Sequence, residues 1–537
     1  MAVRYTEEQL NTVDKSLLIQ MFLNQQEQLQ TLTAEVASLN EKMQLMMEQM
    51  ILANRNRFGR SSEKMTDASQ ISFMEVDGTI VFFNEAEAVC DLDTPEPEHL
   101  KKSAPRPVKK KGKKEQDLSG LPTHRIDHYM TEEELTAEFG KNGWKQLPDA
   151  ISRRYRFVPA KVEVEEHHIG VYADKKDGHM VKAEHPRGLL HGSAVSPTLA
   201  AAIINGKYVN AIPLYRLEQE FQRQGLKLSR QTMANWILQA SDTWLRPVYD
   251  ALHRKLCRET VLHGDETTLQ VLKEPGRTST SKSYMWVYRT SGCAEYPIVL
   301  YEYQPSRKAE HAQAFLEGFS GWLHADGYQG YHKLPENIRV VGCWAHARRK
   351  FDEALQTLPK EKRQESLAAT GECYCTRLFQ LEQALVDLTP EERYTKRLEL
   401  EKPVLDALLA WANETSAKTA PKSALGKALQ YLREQWPYLV RYLEDGRLEL
   451  SNNRAERSIK PFVIGRKNWL FSNTPAGAQS SAVIYSLIET AKENDLDPYR
   501  YLVWLLNHAP GLSRTDEVWA ESFLPVNAPQ ECKIPKP

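Results

Sequence analysis

The stretch ETVLHGDETTLQVL, residues 259–272, reads as a β-strand with Asp265 inside it, flanked by His263 and Gly264. Two further strand patterns follow, SKSYMWVYRT at 281–290 and YPIVLYEYQP at 296–305. KAEHAQAFLEGF (308–319) has the spacing of a helix, and GWLHADGYQGY (321–331) returns to strand and loop. NIRVVGCWAHARRKFDEAL (337–355) is a strand that runs into a helix.

Three strands, a helix, then alternating strand and helix is the element order of a ribonuclease-H-like α/β core, whose first part spans 258–350. In that fold the first and fourth strands are neighbours. Asp265, within the first, and Asp326, at the end of the fourth, are therefore expected to converge, an expectation that rests on analogy of fold. Each acid alone also reads well as part of a turn. Together, and with a third carboxylate, they suit hard divalent cations, which take oxygen ligands and leave room for water and phosphate. Two such ions about 3.5–4 Å apart promote in-line displacement at phosphorus.

The third carboxylate is expected from a late helix. LSNNRAERSIKP, residues 450–461, supplies it: Glu456 is the only acidic residue between Ser451 and Ile488. Asn452, Asn453, Arg454, Arg457, Lys460, Arg466 and Lys467 surround it. A surface i, i+4 pair with Lys460 is the plain reading of such an acid. A cation site among bases that hold a polyanion is the other. Residues 351–446 are charged and helix-rich and fit an all-α insertion, with the core resuming over 447–507 and a C-terminal tail at 508–537. Trp344-Ala345-His346-Ala347-Arg348-Arg349-Lys350 opens the helix after the fifth strand and brings cations and an imidazole towards phosphates. His346 reads equally as a general base or as a hydrogen-bond donor to the scissile phosphate.

Net charge is −1 over 537 residues, so any nucleic-acid binding must come from local patches. No apolar run reaches the ~18 residues of a membrane helix, and MAVRYTEEQL lacks a secretory pattern. Seven scattered cysteines without a CxxC point to reduced thiols in an intracellular, multidomain protein. Over residues 1–60, Leu18, Phe22, Leu29, Leu32, Val36, Leu39, Met43, Met46 and Met50 form a heptad seam, which predicts an N-terminal coiled coil and a dimer or larger homo-oligomer. Residues 61–115 read as a linker, acidic first and then basic in KKSAPRPVKKKGKK, where Lys109, Lys110 and Lys111 form either a solvated tail or an arm on DNA phosphates.

Residues 116–190 form a small β-rich module, with RYRFVPAKVEVEEHHIGVY as its clearest strand pattern. Its histidines (His124, His128, His167, His168, His179, His185) have no cysteine near them, so surface or core roles are expected and no zinc. Residues 191–257 are helical, and LYRLEQEFQRQGLKLSRQTMANW reads as helix, Gly225 turn, helix. Ser229 would be the N-cap, and Ser229, Arg230 and Gln231 would stand where helix-turn-helix proteins read bases.

FGRSSEK (58–64), LHGDETTLQVL (262–272), LHADGYQGY (323–331), CWAHARRKF (343–351) and LSNNRAERSIKPFVIGRKNW (450–469) together resemble the DDE transposases of the insertion sequence sixty-six family. The resemblance implies a catalytic, metal-binding triad of Asp265, Asp326 and Glu456, holding two Mg²⁺ or Mn²⁺ ions. It implies cleavage at the ends of an insertion sequence and joining of the freed 3′-hydroxyls to target DNA in the bacterial cytoplasm, at the nucleoid. Small accessory proteins encoded by the same element are further expected partners, and no membrane. The module at 116–190 resembles the family's zinc-binding domain but lacks its cysteines, so no zinc is expected there. The alternatives are an inactive DNA-binding regulator and another ribonuclease-H-fold nuclease.

Overall fold

The computed structural model describes residues 188–534 continuously. Before them it describes 73–76, 79–82, 125, 129–141, 161–173, 180–183 and the helical positions 26, 30, 42, 43, 46 and 47. The remainder of the heptad seam, the basic arm with Lys109, Lys110 and Lys111, and His124, His128, His179 and His185 lie outside the described residues.

Five strands form one sheet: β1 (Val261–Gln270), β2 (Lys282–Thr290), β3 (Val299–Gln304), β4 (Gly321–His324) and β5 (Ile338–Val341). Their order is β3-β2-β1-β4-β5. β1 pairs antiparallel with β2, and β2 with β3, whereas β4 lies parallel to both β1 and β5. The first and fourth strands are thus neighbours. β2 is buried along nearly its whole length, Met285, Trp286, Val287 and Tyr288 being fully enclosed. That is why SYMWVY reads as a continuous apolar run without alternation.

Between residue 188 and β1 lie four α-helices: α1 (Pro197–Ile204), α2 (Leu214–Arg223), α3 (Arg230–Ala240) and α4 (Arg246–Leu256). α5 (Ala309–Phe315) joins β3 to β4, and α6 (Trp344–Gln356) follows β5. α7 (Leu367–Ala384), α8 (Pro390–Leu400), α9 (Lys402–Lys418) and α10 (Ala424–Leu439) come next, then α11 (Asn453–Trp469), α12 (Pro475–Glu493) and α13 (Pro498–Leu512). α7 to α10 have no strand among them and bury Leu378, Leu405, Leu408, Leu429 and Leu432 against Trp344 and Phe351 of α6. Arg397, fully buried, holds this bundle to the returning chain. It donates to Glu382 and to the carbonyls of Tyr442, Asp445 and Leu448.

α12 is enclosed almost all round, as a central helix must be when apolar residues cover every face. Its serine and threonine do a second task. β3 is an edge strand, and unpaired edge groups invite another chain. Here the Tyr301 amide donates to Ser486 Oγ at 2.7 Å, and Thr490 Oγ1 meets both the amide and the carbonyl of Val299 at 3.0 Å. The helix closes the sheet edge.

The α2–α3 pair turns at Gly225, whose φ of 87° a side chain would resist. Ser229 caps α3, its Oγ accepting from the Thr232 amide at 3.1 Å. In the 116–190 region the strand expectation fails over 161–170. That segment has no regular pairing, and Val164 is 89% exposed. Alternation makes a strand only where a partner supplies the hydrogen bonds, and the pairing found is the short ladder of Val171–Ala173 with Met180–Lys182.

Candidate active site

His-Gly-Asp on β1 and His-Ala-Asp on β4 are register mates. His263 pairs with His324 across the parallel ladder, and their imidazoles stack with centroids 4.5 Å apart. Side chains two residues apart share a face of a strand. Asp265 and Asp326 therefore leave neighbouring strands at matching positions, Asp326 just beyond the last residue of β4. Asp265 Oδ1 accepts from the Glu266 amide at 2.8 Å, and Asp326 Oδ1 from the Tyr328 amide at 2.9 Å.

Glu456 enters from the first turn of α11, where the helix dipole favours a carboxylate. His346 Nε2 donates to its Oε1 at 2.9 Å, and Arg349 to its Oε2 at 3.4 Å, both from α6. Among the described residues no ion pair joins it to Lys460. Burial pushes the Glu456 carboxyl up, but the His346 hydrogen bond and the Arg349 charge outweigh it and hold the group below its usual range. Asp265 goes the other way. Burial, then the negative charges of Glu266, Asp326 and Glu456, raise it well above an ordinary aspartate. Burial and these negative neighbours thus make Asp265 resist ionisation.

The loop before α11 fastens this arrangement. Asn452, 1% exposed, donates from Nδ2 to the Gly264 carbonyl at 2.8 Å, while its Oδ1 accepts from His263 Nδ1 at 3.0 Å. Its own amide donates to Cys343 Sγ at 3.1 Å, and the Trp344 amide to the Leu450 carbonyl. The Glu449 amide donates to His324 Nε2, and the Glu449 carboxylate accepts from Arg454 Nε at 2.8 Å. One short loop therefore ties both aspartate-bearing strands to the start of the glutamate helix.

Comparison with known proteins places the chain. Residues 192–480, more than half of it, match the family described as Transposase IS66 family. Residues 486–525 match its IS66 C-terminal element, and residues 45–126 the Transposase C of IS166 homeodomain. The chain belongs to the IS66 family of transposases. Two uncharacterised proteins of Sinorhizobium fredii are similar along most of their length. y4qI is 30% identical over 447 residues, 80% of this chain and 78% of that one. y4jD is 30% identical over 427 residues, 76% of this chain and 82% of the other.

In this IS66 transposase the basic residues singled out from sequence divide into three groups. Arg457 and Lys460 stand exposed on α11. Arg349 and His346 face Glu456, whereas Arg348 lies over the ring of Phe379, turned to the helical bundle. Arg454 is committed to Glu449, Arg466 reaches Thr267 and Thr268 at 3.4 Å, and Asn453 and Lys467 are half-buried. Asn452 corrects a sequence expectation. Beside Glu456 in sequence it could orient that carboxylate or reach phosphate oxygens, but burial with both side-chain polar atoms engaged leaves none for phosphate. Ser229, Arg230 and Gln231 are exposed at the head of α3. The Arg230 amide donates to Glu218, and Gln231 bonds Asn235.

Two partners of the acids escaped the sequence reading. Glu266, whose side chain is 1% exposed, receives Tyr331 Oη at 2.6 Å and Arg307 Nε at 2.5 Å. Arg307 also stands 3.7 Å from Asp326, with its guanidinium on the Tyr328 ring. The one signal for Glu266 was its place directly after Asp265, since nothing local links it to an arginine 41 residues on. Among the described residues no helix is long and apolar enough to cross a membrane.

Proposed function

We propose that this chain is a DNA transposase that binds the ends of its insertion sequence, cleaves there and joins the freed 3′-hydroxyls to target DNA. Asp265, Asp326 and Glu456 form its DDE triad on a ribonuclease-H-like core. The observation that carries this reading is geometric: Asp265 and Asp326 leave neighbouring parallel strands at matching positions, and Asn452 ties the first of those strands to the start of the Glu456 helix. Sheet order and strand directions support the core assignment.

The donor set is all carboxylate oxygen, and its mutual repulsion is what a divalent cation relieves, so these residues fit Mg²⁺ or Mn²⁺. Bound there, two ions supply activation of the attacking oxygen and stabilisation of the leaving one. The protein does the rest. Asn452 fixes the distance between strand and helix, and His346 and Arg349 orient Glu456. Arg307 holds Glu266 and Asp326 against each other. Arg457 and Lys460 offer cations to the DNA backbone, a contact that positions the duplex without reading it.

The α2–α3 pair is the helix-turn-helix of this proposal, with Ser229, Arg230 and Gln231 towards DNA, and Lys109–Lys111 form a phosphate-binding arm. The N-terminal seam pairs copies so that two DNA ends meet, and small proteins of the same element assist. A strand-transfer assay tests the function. Purified protein, Mg²⁺ and labelled DNA carrying the flanking element ends should give joined products. Cleavage without end preference would instead mark a general nuclease, and specific binding with no cleavage in either metal a regulator.

A further inference from the structure

Glu456 has neighbours that a hard-cation site does not need. Cys343 is the N-cap of α6 and His346 lies three residues on, so thiol and imidazole leave the same side of the helix start. Glu456 meets them from α11. One donor atom of each of the three lies within 4.8 Å of the others, and His346 Nε2 is 2.9 Å from Glu456 Oε1. It is the one group of this kind among the described residues.

From these three donors we infer that Cys343, His346 and Glu456 form a second metal site, selective for a soft or borderline divalent ion of the zinc class, which removes Glu456 from the carboxylate trio and so switches the enzyme off. Tetrahedral zinc with bonds of about 2.0–2.3 Å sets its ligands roughly 3.3–3.8 Å apart, so donors bounded by 4.8 Å need only a small adjustment, with His346 Nε2 and Glu456 Oε1, at 2.9 Å, moving slightly apart. The set of one sulfur, one nitrogen and one oxygen leaves a fourth position for water. Thiolate and imidazole select against Mg²⁺, which prefers oxygen throughout. In the balance, the Cys343 thiol gives its proton to solvent as the sulfur–metal bond forms, and the proton that His346 Nε2 shares with Glu456 moves to solvent, or to Nδ1 as the other tautomer, so that Nε2 can bind. The Asn452 amide already donates to Cys343 Sγ at 3.1 Å and would remain as a donor to the thiolate, the outer support such ligands need.

The site stands on its own geometry, and only its inhibitory consequence rests on the function proposed above. The test therefore has two arms, both with the full chain. Cd²⁺ titration followed by the ultraviolet cadmium–thiolate band reads the site directly. The wild type should show a contribution that Cys343→Ser removes and that Cys375→Ser, altering a buried thiol elsewhere, leaves. His346→Ala should weaken that contribution by more than about tenfold, and it provides the reading if Cys343→Ser does not fold. A wild-type signal with no dependence on Cys343 or His346 would overturn the site. In the second arm, Zn²⁺ should suppress Mg²⁺-supported strand transfer by the wild type at concentrations at least tenfold below those needed for Cys343→Ser. Equal sensitivity would overturn the switch. A chain with no strand transfer at all would sink the function, while the cadmium arm would still decide the site.

Discussion

Replacing Asn452 by alanine removes both hydrogen bonds that tie β1 to the start of α11. The partners left behind are the Gly264 carbonyl and His263 Nδ1. The imidazole is fully buried, and its Nε2 has no other hydrogen-bond partner among the described residues. A buried polar group left unpaired costs about 1–3 kcal/mol, so the two together cost roughly 2–6 kcal/mol, less if water enters. Against a total stability of about 5–15 kcal/mol, that is a visible fall in melting temperature. Activity should fall further than folding does. Glu456 lies one helical turn beyond Asn452, and a displacement of about 1 Å at a reacting centre costs on the order of 100-fold in rate. Asn452→Asp is the sharper change, because it sets a carboxylate oxygen against the Gly264 carbonyl where an N–H stood. Melting followed by circular dichroism, cleavage of a labelled element end and DNA retention measure the three effects. DNA retention should survive, since Arg457 and Lys460 are untouched. Wild-type melting and cleavage by Asn452→Ala would refute the clasp, and unchanged cleavage in a destabilised protein would reduce it to packing.

Two further outcomes follow from buried polar groups. Glu401 is fully enclosed, with Oε2 on the Tyr442 hydroxyl at 2.7 Å, and burial pushes its carboxyl up to about 7. Because the folded value is raised, the stabilisation is present below the unfolded value of about 4.3 and is lost as pH rises through about 7, a change of about 4 kcal/mol in all. Glu401→Gln should therefore melt higher than the wild type near about pH 8, with the gap closing in acid. A gap that does not change with pH would refute this. Ser486→Ala with Thr490→Val strips the cover from the edge of β3 and leaves three buried backbone groups unpaired. The double variant should lose several kcal/mol, about 1–3 for each group, and aggregate on heating; soluble, wild-type melting would show that the edge needs no cover.

What could be read from sequence was local and periodic. Asp265 lay in a strand because Val261, Leu262, Leu269 and Val271 frame it, and Ser229 capped a helix because hydroxyls before an apolar stripe do so. The order of elements then led to neighbouring first and fourth strands. Contacts made across great chain distance were not legible. Asn452 bonds residues 188 and 189 positions away, and its text, an asparagine among arginines, looked like surface. The same distance hid the pairing of Glu456 with His346, which replaced the helical pair with Lys460 that i, i+4 spacing suggested. Residues 161–170 failed for the complementary reason, since alternation was present but no partner strand pairs with them among the described residues.

Cleavage at a labelled element end by Asp265→Asn, Asp326→Asn and Glu456→Gln, each in Mg²⁺ beside the wild type and with DNA binding measured on the same samples, tests the carboxylate trio most directly. Each variant should bind the DNA as the wild type does and leave it uncut. Any one of the three cutting at the wild-type rate would contradict the account.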